Sequence, residues 1–208
     1  MIRGIFSFLF ILTTWATADC GQIGTSTRPR LSAKDYIELL SLEKHIEGGY
    51  FCSYYRSANQ VVILDSRYNT EDKYRPSGTS IYFLLEKQDF SAWHRLKSDE
   101  IWHYYDGESP IDIHIIDQNG KLTTHCLGNP SMTENASFQV LINSGNWFAA
   151  EVRDKESFGL VGCTVSPGFE YSDFELGDRE SLIHQYPHYI SIISQLTRIP
   201  TKAVKKQN

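Results

Sequence analysis

The hydrophobic pattern of the chain changes from helical to strand-like and back to helical. Near the start, Ser32 is a candidate N-cap, and residues 33–42 place apolar side chains along one helical face. Near the end, residues 178–196 have a helical pattern that Pro187 interrupts, which predicts a broken or kinked helix. Between them lie short runs rich in aromatic and β-branched residues. They predict strands at 50–55, 59–64, 79–85, 90–96, 101–105, 111–117, 122–126, 138–142, 147–152 and 160–165.

Turn signals separate these strands. Asn119-Gly120 predicts a tight hairpin turn between two of them. Residues 97–99 predict a second tight connection, which would join the strands 90–96 and 101–105 in a hairpin. The polar, turn-rich stretch 65–78 is predicted to be a surface loop. Many short strands without a helical pattern between them predict an all-β sandwich, jelly roll or small barrel.

Composition and charge narrow the class of protein. With 208 residues, of which 41% are hydrophobic, the chain can form one domain with a substantial core, which we place at 31–199. The net charge is −5, and no basic run interrupts the body of the chain. Both facts argue against nucleic acid as a partner. The locally basic tail 200–208 is predicted to be a solvated terminus.

The first eighteen residues have the pattern of a secretory signal peptide. Arg3 provides the positive charge, residues 5–12 the apolar core, and Ala16-Thr17-Ala18 a cleavage site. The apolar run is too short to cross a bilayer, so we expect no membrane association after cleavage. Residues 1–18 are thus the predicted signal peptide, residues 19–30 a flexible leader, and the mature protein is predicted to be secreted or in the lumen of the secretory pathway.

Secretion would allow the protein to be glycosylated at asparagine and to form disulfides between cysteines. Asn135 begins the sequon N-A-S and is a predicted glycosylation site. The four cysteines, Cys20, Cys52, Cys126 and Cys163, have no spacing typical of a metal site. Cys163 lies in an apolar run and is predicted to be a buried free thiol. At most one disulfide then forms among the other three, and its pairing stays open.

Residues 91–107, SAWHRLKSDEIWHYYDG, are densest in potential chemistry because they contain His94, Glu100 and His103. The spacing matches most of the first cupin motif, H-x-H-x(3,4)-E-x(6)-G. His94 corresponds to the first histidine, Glu100 to the glutamate and Gly107 to the glycine.

Other fragments strengthen this resemblance. EGGYF, YRS, TSIYFLL, SDEIWH, SGNWFAA and GCTVSPGFEYSDFEL occur in this order, and a helix containing YP follows them. Over residues 31–197 the chain resembles the cupin-5 (DUF985) family, which includes a yeast cupin. The resemblance implies a double-stranded β-helix, the cupin jelly-roll barrel, with an N-terminal helix and C-terminal helices. It also implies one ligand cavity and a homodimer, whereas the biochemical role of the family is poorly defined.

A metal is the usual cofactor of cupins, held by three histidines and one glutamate. In this chain Leu96 takes the place of one of these histidines, and Phe148 takes the place of the last. Glu100 and His103 are three residues apart and should face opposite sides of a strand unless a bulge intervenes. We therefore expect no cofactor. A metal held by His94, Glu100 and an inward-turned His103 is the alternative.

The cupin barrel is shared by the sugar-nucleotide 3,5-epimerases, which use a histidine base without a metal, and this similarity implies another use of the cavity. His94 is the predicted base, Glu100 the carboxylate that orients it or raises its basicity, and His103 a further catalytic candidate. We expect a secreted cupin with a metal-independent small-molecule pocket, isomerase- or epimerase-like on a carbohydrate-type ligand. The alternative is a non-catalytic small-molecule or sugar-binding protein. A structural or storage protein would need neither polar group.

Aromatic side chains are expected to form the walls of the pocket. Arg56 is expected to bind an anionic substituent through its planar guanidinium. An ion pair of Arg56 with Glu47 or Asp99 at a strand edge is the alternative. The predicted ligand-binding residues are Arg56, Tyr82, Trp102, Trp147 and Phe148.

Overall fold

The computed structural model describes residues 29–65 and 73–199, which form mostly β-strands with short helices at both ends. The helices are α1 Ala33–Leu39, α2 Arg179–Gln185 and α3 Ile190–Gln195, with 3₁₀ turns at Tyr171–Asp173 and Pro187–Tyr189. The strands are β1 Glu43–Lys44, β2 Tyr50–Arg56, β3 Gln60–Val62, β4 Tyr74–Pro76, β5 Thr79–Glu86, β6 Phe90–Leu96, β7 Asp99–Gly107, β8 Ile111–Ile116, β9 Leu122–Leu127, β10 Ala136–Ser137, β11 Gln139–Ile142, β12 Trp147–Val152, β13 Phe158–Ser166 and β14 Phe174–Leu176.

Two six-stranded sheets enclose the main core. The first has the strand order β1-β2-β5-β13-β7-β11, and the second has the order β10-β9-β8-β12-β6-β14. Side chains from both sheets meet in one buried cluster, in which Phe83 and Trp102 of the first sheet pack with Ile113 and Phe148 of the second. The predicted all-β jelly-roll barrel with a helix before it and helices after it is confirmed.

The predicted hairpin of 90–96 and 101–105 is wrong. Strand β6 pairs with β12 and β14 in the second sheet, whereas β7 pairs with β13 and β11 in the first. The short connection at residues 97–98 therefore crosses between the sheets, and each strand obtains its hydrogen bonds from partners distant in sequence. The hairpin at Asn119-Gly120 is confirmed, since β8 and β9 pair antiparallel and Gly120 has a φ of +79°.

The predicted helices are present, but each is shorter than predicted. Helix α1 begins at a capping box, in which Ser32 and Asp35 exchange side-chain to backbone hydrogen bonds. The C-terminal helix is interrupted at Pro187, as predicted. Helices α2 and α3 bury Leu182 and Ile193 against Trp93 and Trp147 in a second core cluster. These helices therefore cover the outer face of the second sheet.

The predicted surface loop 65–78 contains a strand. Residues 66–72 lie outside the described part of the chain, but β4 pairs with β3, and Arg75 of β4 is only 1% exposed. Its guanidinium binds both carboxylate oxygens of Asp173, at 2.6 and 2.9 Å. Such a short strand among turn residues has too few positions to show a period of two.

Several predictions fall on residues that the structure does not describe. These are the signal peptide, most of the leader, Cys20 and the basic tail. Within the described ranges, Cys52, Cys126 and Cys163 are free thiols, and Cys163 is buried. Asn135 is exposed, with a positive φ of 60°. Among the described helices, none is both long enough and apolar enough to span a bilayer.

We expect Asp173→Ala to destabilise the fold strongly. The change removes the bidentate partner of a guanidinium that lies almost entirely out of water, and such losses cost about 3–5 kcal/mol. The free energy of unfolding in urea measures the effect. Glu175→Ala is the control, because its ion pair with Arg95 is exposed and should contribute less than about 1 kcal/mol. Equal losses in both variants would show that the buried pair has no special role.

Candidate functional site

A cavity of about 200 Å³ opens at one end of the barrel. Its lining comes from β2, β5, β6, β7 and β13, from residues 45–47, and from the segment that follows β13. Most of the lining is apolar, whereas a small group of ionisable side chains collects on one side. The ionisable lining residues treated below are His45, Glu47, His94, Glu100 and Cys163.

Glu47 is presented to the cavity by a turn with an unusual backbone. Gly48 and Gly49 follow it with φ values of +116° and +68°, a region that favours glycine. A Cβ atom on Gly48 would lie 2.0 Å from the carbonyl oxygen of Phe90, so a side chain does not fit there. The carbonyl oxygen of Glu47 accepts hydrogen bonds from the backbone of Ala92 and the side chain of Arg198. The turn therefore fixes the carboxylate against β6.

Three polar side chains surround the Glu47 carboxylate, which is 6% exposed. Its Oε1 accepts a hydrogen bond from Ser91 Oγ at 2.8 Å. Its Oε2 lies 3.4 Å from both His94 Nε2 and His45 Nδ1. Burial raises the pKa of Glu47, but the two histidines and Ser91 outweigh burial and hold that pKa below its ordinary value. Glu47 is therefore a carboxylate at neutral pH.

Both ring nitrogens of His94 lie beside oxygen atoms, Nδ1 beside a backbone carbonyl and Nε2 beside the Glu47 carboxylate. Nδ1 lies 2.7 Å from the carbonyl oxygen of Ala92, and because a carbonyl only accepts, we assign the proton to Nδ1. In the neutral ring Nε2 then carries the lone pair and faces Glu47. Burial lowers the pKa of His94 more than the charge of Glu47 raises it. The imidazole is therefore neutral at pH 7, and it packs against the rings of Phe148 and Phe174.

Glu100 has the opposite protonation behaviour to Glu47. It is 6% exposed, and burial, reinforced by the negative charge of Glu47, raises its pKa to about 8. Its Oε2 is buried without a hydrogen-bond partner. The neighbouring Cys163 thiol has a pKa well above the usual value, because of its own burial and the two carboxyl groups. At neutral pH both Glu100 and Cys163 are therefore protonated, and Cys163 is no thiolate nucleophile.

The structure brings together three of the predicted site residues. His94, Glu100 and Arg56 line the same cavity, with Arg56 pairing with Glu170 and with the carbonyl oxygen of Phe169 rather than with Glu47 or Asp99. The carboxylate that faces His94 is Glu47 and not Glu100. Sequence reasoning missed this role of Glu47.

His103 does not reach the cavity, so its predicted catalytic position is wrong. Its Nε2 contacts Thr164 Oγ1 at 3.1 Å, whereas Cys163 and Val165, the neighbours of Thr164, line the cavity. The alternation of side chains along β7 and β13 explains the difference, because Glu100 and His103 are an odd number of residues apart.

The predicted aromatic walls are also wrong, because none of the four predicted aromatic residues lines the cavity. Tyr82 contacts Tyr54 and Tyr105 and does not line the cavity. Trp102 fills the core between the sheets, and Trp147 packs under the C-terminal helices. Phe148 lies behind His94, with ring centroids 3.9 Å apart. The walls that sequence reasoning missed are formed by Phe51, Ile81, Phe83, Phe169, Tyr171 and Phe174.

Comparison with known proteins agrees with the barrel and its motifs. A family model described as Cupin superfamily (DUF985) matches residues 34–177. The chain belongs to the cupin-5 (DUF985) family. Protein SO0799 from Shewanella oneidensis is 36% identical, with a TM-score of 0.70, over 81% of this chain and 99% of that one. A hypothetical protein from Leishmania major is 30% identical, with a TM-score of 0.72, over 81% of this chain and 100% of that one. A comparison with curated proteins gives no match.

The residues of this cupin-5 chain do not fit the usual cupin metal. Two ligand positions of the motif are occupied by Leu96 and Phe148, and His103 faces away from the cavity. Within residues 29–65 and 73–199, no group of three or more His, Cys, Asp or Glu side chains is arranged to hold a metal ion. We therefore derive no chemistry through a metal.

Glu100→Gln is expected to change how the stability of this cupin-5 domain depends on pH. Folded Glu100 keeps its proton up to about pH 8, whereas an unfolded glutamate loses it near 4.5. Because the folded state binds the extra proton between these values, rising pH lowers stability there by up to about 1.4 kcal/mol per pH unit. Glutamine has no proton to lose, so the variant should lack this decline.

Unfolding free energies measured between pH 5 and pH 9 test this prediction. Glu108→Gln is the matched control, since Glu108 is exposed and should leave the pH dependence unchanged. Parallel curves for native protein and Glu100→Gln would mean that Glu100 titrates as an ordinary surface glutamate.

Proposed function

We propose that the cavity binds a small carbonyl compound and that His94 and Glu100 move protons on it, as an isomerase or epimerase does. The observation that carries the proposal is the pair of buried carboxyl groups, Glu47 and Glu100, that line one cavity with the imidazole of His94. The pKa of Glu47 is lowered, whereas that of Glu100 is raised to about 8. Environments that separate the pKa values of neighbouring groups are typical of acid and base pairs.

The base in this proposal is Nε2 of His94. The neutral imidazole accepts a proton from a C–H bond next to the carbonyl group of the ligand. The resulting imidazolium keeps its Nδ1 bond to Ala92 and is stabilised by Glu47, whose Oε2 lies 3.4 Å from Nε2. Ser91 holds the other oxygen of Glu47 and so keeps the carboxylate in place. Ala92 thus orients the neutral base through Nδ1, and Glu47 stabilises the imidazolium that forms.

The acid in this proposal is Glu100. Its carboxyl group is protonated below about pH 8 and can donate to the carbonyl oxygen on which negative charge develops. The buried Oε2 without a partner supports this role, because a ligand group would complete its hydrogen bonding. Cys163 and Trp102 lie beside the carboxyl group, and their donors lower its pKa by less than burial raises it.

The volume of the cavity limits the ligand. About 200 Å³ corresponds to roughly seven water molecules and lies below the usual range for drug-sized ligands. A monosaccharide-sized or smaller compound fits this limit better than a nucleotide sugar. The carbohydrate-type ligand stays a prediction.

A non-catalytic binding protein is the second candidate. The aromatic walls favour it, because Phe51, Phe83 and Phe174 provide apolar contact area without any proton transfer. The two candidates differ in whether a bound ligand exchanges a carbon-bound proton with water.

Solvent exchange separates the two candidates. In deuterated water the native protein should exchange the proton next to the carbonyl group in members of a panel of small hydroxyaldehydes and hydroxyketones, observed by proton NMR. His94→Gln should slow the exchange by about 10²–10⁴-fold, since it removes the base. The rate should fall above about pH 8, where Glu100 loses its proton.

Tyr82→Phe is the control for this experiment, because Tyr82 does not line the cavity and should leave the exchange rate unchanged. Binding of a panel compound that the native protein never exchanges would favour the binding protein instead. Exchange that His94→Gln retains would remove His94 as the base.

We also propose that the protein acts in the secretory pathway or outside the cell, as a homodimer. The pattern of residues 1–18 and the exposed sequon at Asn135 support export. Expression in eukaryotic cells should give a secreted product that begins at Asp19 and loses mass on deglycosylation. An unglycosylated product that retains Met1 and stays inside the cell would contradict export, and light scattering would test the dimer.

A further inference from the structure

We infer that the ligand of this cavity carries a small organic cation, an ammonium group that lies between the carboxyl groups of Glu47 and Glu100 and the aromatic walls. The inference rests on the proposed function only in taking the cavity as the ligand site. It does not depend on proton transfer, and because a bound cation would ionise Glu100, such a ligand would not use Glu100 as the acid of the proposed function. Three independent features of the cavity support it.

The first feature is the balance of charge. Among the described residues that line the cavity, Arg56 is the sole Lys or Arg, and its guanidinium pairs with Glu170. The Glu47 carboxylate is faced by the imidazoles of His94 and His45 and by Ser91. His94 is neutral at pH 7 because burial lowers its pKa. The cavity therefore contains one buried carboxylate, Glu47, whereas the guanidinium at its mouth already has a carboxylate partner.

The second feature is the Glu100 carboxyl group. Its Oε2 is buried, has no hydrogen-bond partner and belongs to a side chain that lines the cavity. Buried oxygens of this kind are nearly always satisfied by a donor. An ammonium group donates several hydrogen bonds or, when methylated, contributes its charge alone. Either form of cation would favour the ionised state of Glu100.

The third feature is the number of aromatic rings. Five of them, from Phe51, Phe83, Phe169, Tyr171 and Phe174, line a cavity of about 200 Å³. Aromatic groups around a cation, together with a nearby carboxylate, are typical of sites for quaternary and protonated amines. An anion in the same place would be repelled by Glu47. A neutral ligand would gain only apolar contact.

The affinity for a cation should depend on pH because Glu100 titrates in the cavity. The free cavity holds a proton on Glu100 up to about pH 8, and a bound cation lowers the pKa of that carboxyl group. Binding below pH 8 therefore releases a proton, and affinity should rise with pH until Glu100 is ionised in the free protein as well. Cys163 stays protonated throughout this range. The ionisable groups around Glu100 that share the cavity or its mouth are His45, Glu47, Arg56, His94, Cys163, Glu170 and Tyr171.

Three probes of equal shape test the inference. Choline, 3,3-dimethylbutan-1-ol and 3,3-dimethylbutanoate are a cation, its neutral analogue and a related anion. Calorimetry with the whole chain, in the presence of a chelator, should show choline binding at least about fivefold more tightly than the alcohol, with the anion weakest. Between pH 6 and pH 8 the affinity for choline should rise by about tenfold or more, with proton release visible in buffers of different ionisation enthalpy.

Single-residue variants test which side chains cause the preference for choline and its dependence on pH. Glu100→Gln should remove the rise with pH, and Glu47→Gln should bring the affinity for choline close to that for the alcohol. Phe174→Leu keeps an apolar side chain and should weaken the binding of choline more than the binding of the alcohol. Tyr82→Phe is the control with an aromatic residue that does not line the cavity and should change neither affinity.

Several outcomes would overturn the inference. Equal affinity for choline and the alcohol would mean that the walls recognise only apolar shape, and tightest binding of the anion would assign recognition to Arg56. Absence of choline binding at millimolar concentration would also reject it. Proton exchange on carbonyl compounds without any preference for choline would reject this inference alone, whereas choline binding without exchange would reject only the proposed proton transfer.

Discussion

The buried carboxylate of Glu47 is the constraint on which the rest of the site depends. An ionised carboxylate inside a protein costs several kcal/mol unless hydrogen bonds and nearby positive partial charges replace its water. Here the two glycines after Glu47 let the backbone pass close to Phe90, and β6 supplies Ser91 and His94 from one strand. The turn after Glu47, strand β6 and the imidazole of His94 are thus placed so that together they stabilise the buried charge of Glu47.

The same charge adds to the effect of burial on the pKa of Glu100. Two carboxylates in one apolar cavity repel each other, so ionisation of the first raises the pKa of the second. Glu47 has the imidazoles and a hydroxyl group, whereas Glu100 has an oxygen without a partner and a protonated thiol beside it. A carboxylate and a carboxylic acid therefore coexist at neutral pH. This asymmetry makes the cavity able to accept a proton at one point and donate one at another, and it also makes the cavity responsive to a cation.

Sequence reasoning predicted the barrel better than the site. Strand bounds follow from the local alternation of apolar and polar residues. The connection at 97–98, which crosses between the two sheets, has the same turn residues as a hairpin. The neighbouring sequence therefore does not show which strands pair with β6 and β7. The motif located His94 and Glu100 because their spacing is fixed within one stretch. The contact of His94 with Glu47 joins residues 47 apart in the chain, and no local pattern reports it. Aromatic residues such as Trp147 were misplaced because richness in rings does not tell which face of a strand they occupy.

The mouth of the cavity is held more weakly than its floor. The segment after β13 contributes Phe169 and Phe174 to the walls, and the buried pair of Asp173 with Arg75 anchors it near its middle. Closer to its start, Glu170 is held by the half-exposed guanidinium of Arg56, and exposed ion pairs contribute about 1 kcal/mol or less. Breaking the exposed pair of Arg56 with Glu170 therefore costs far less than breaking the buried pair of Arg75 with Asp173.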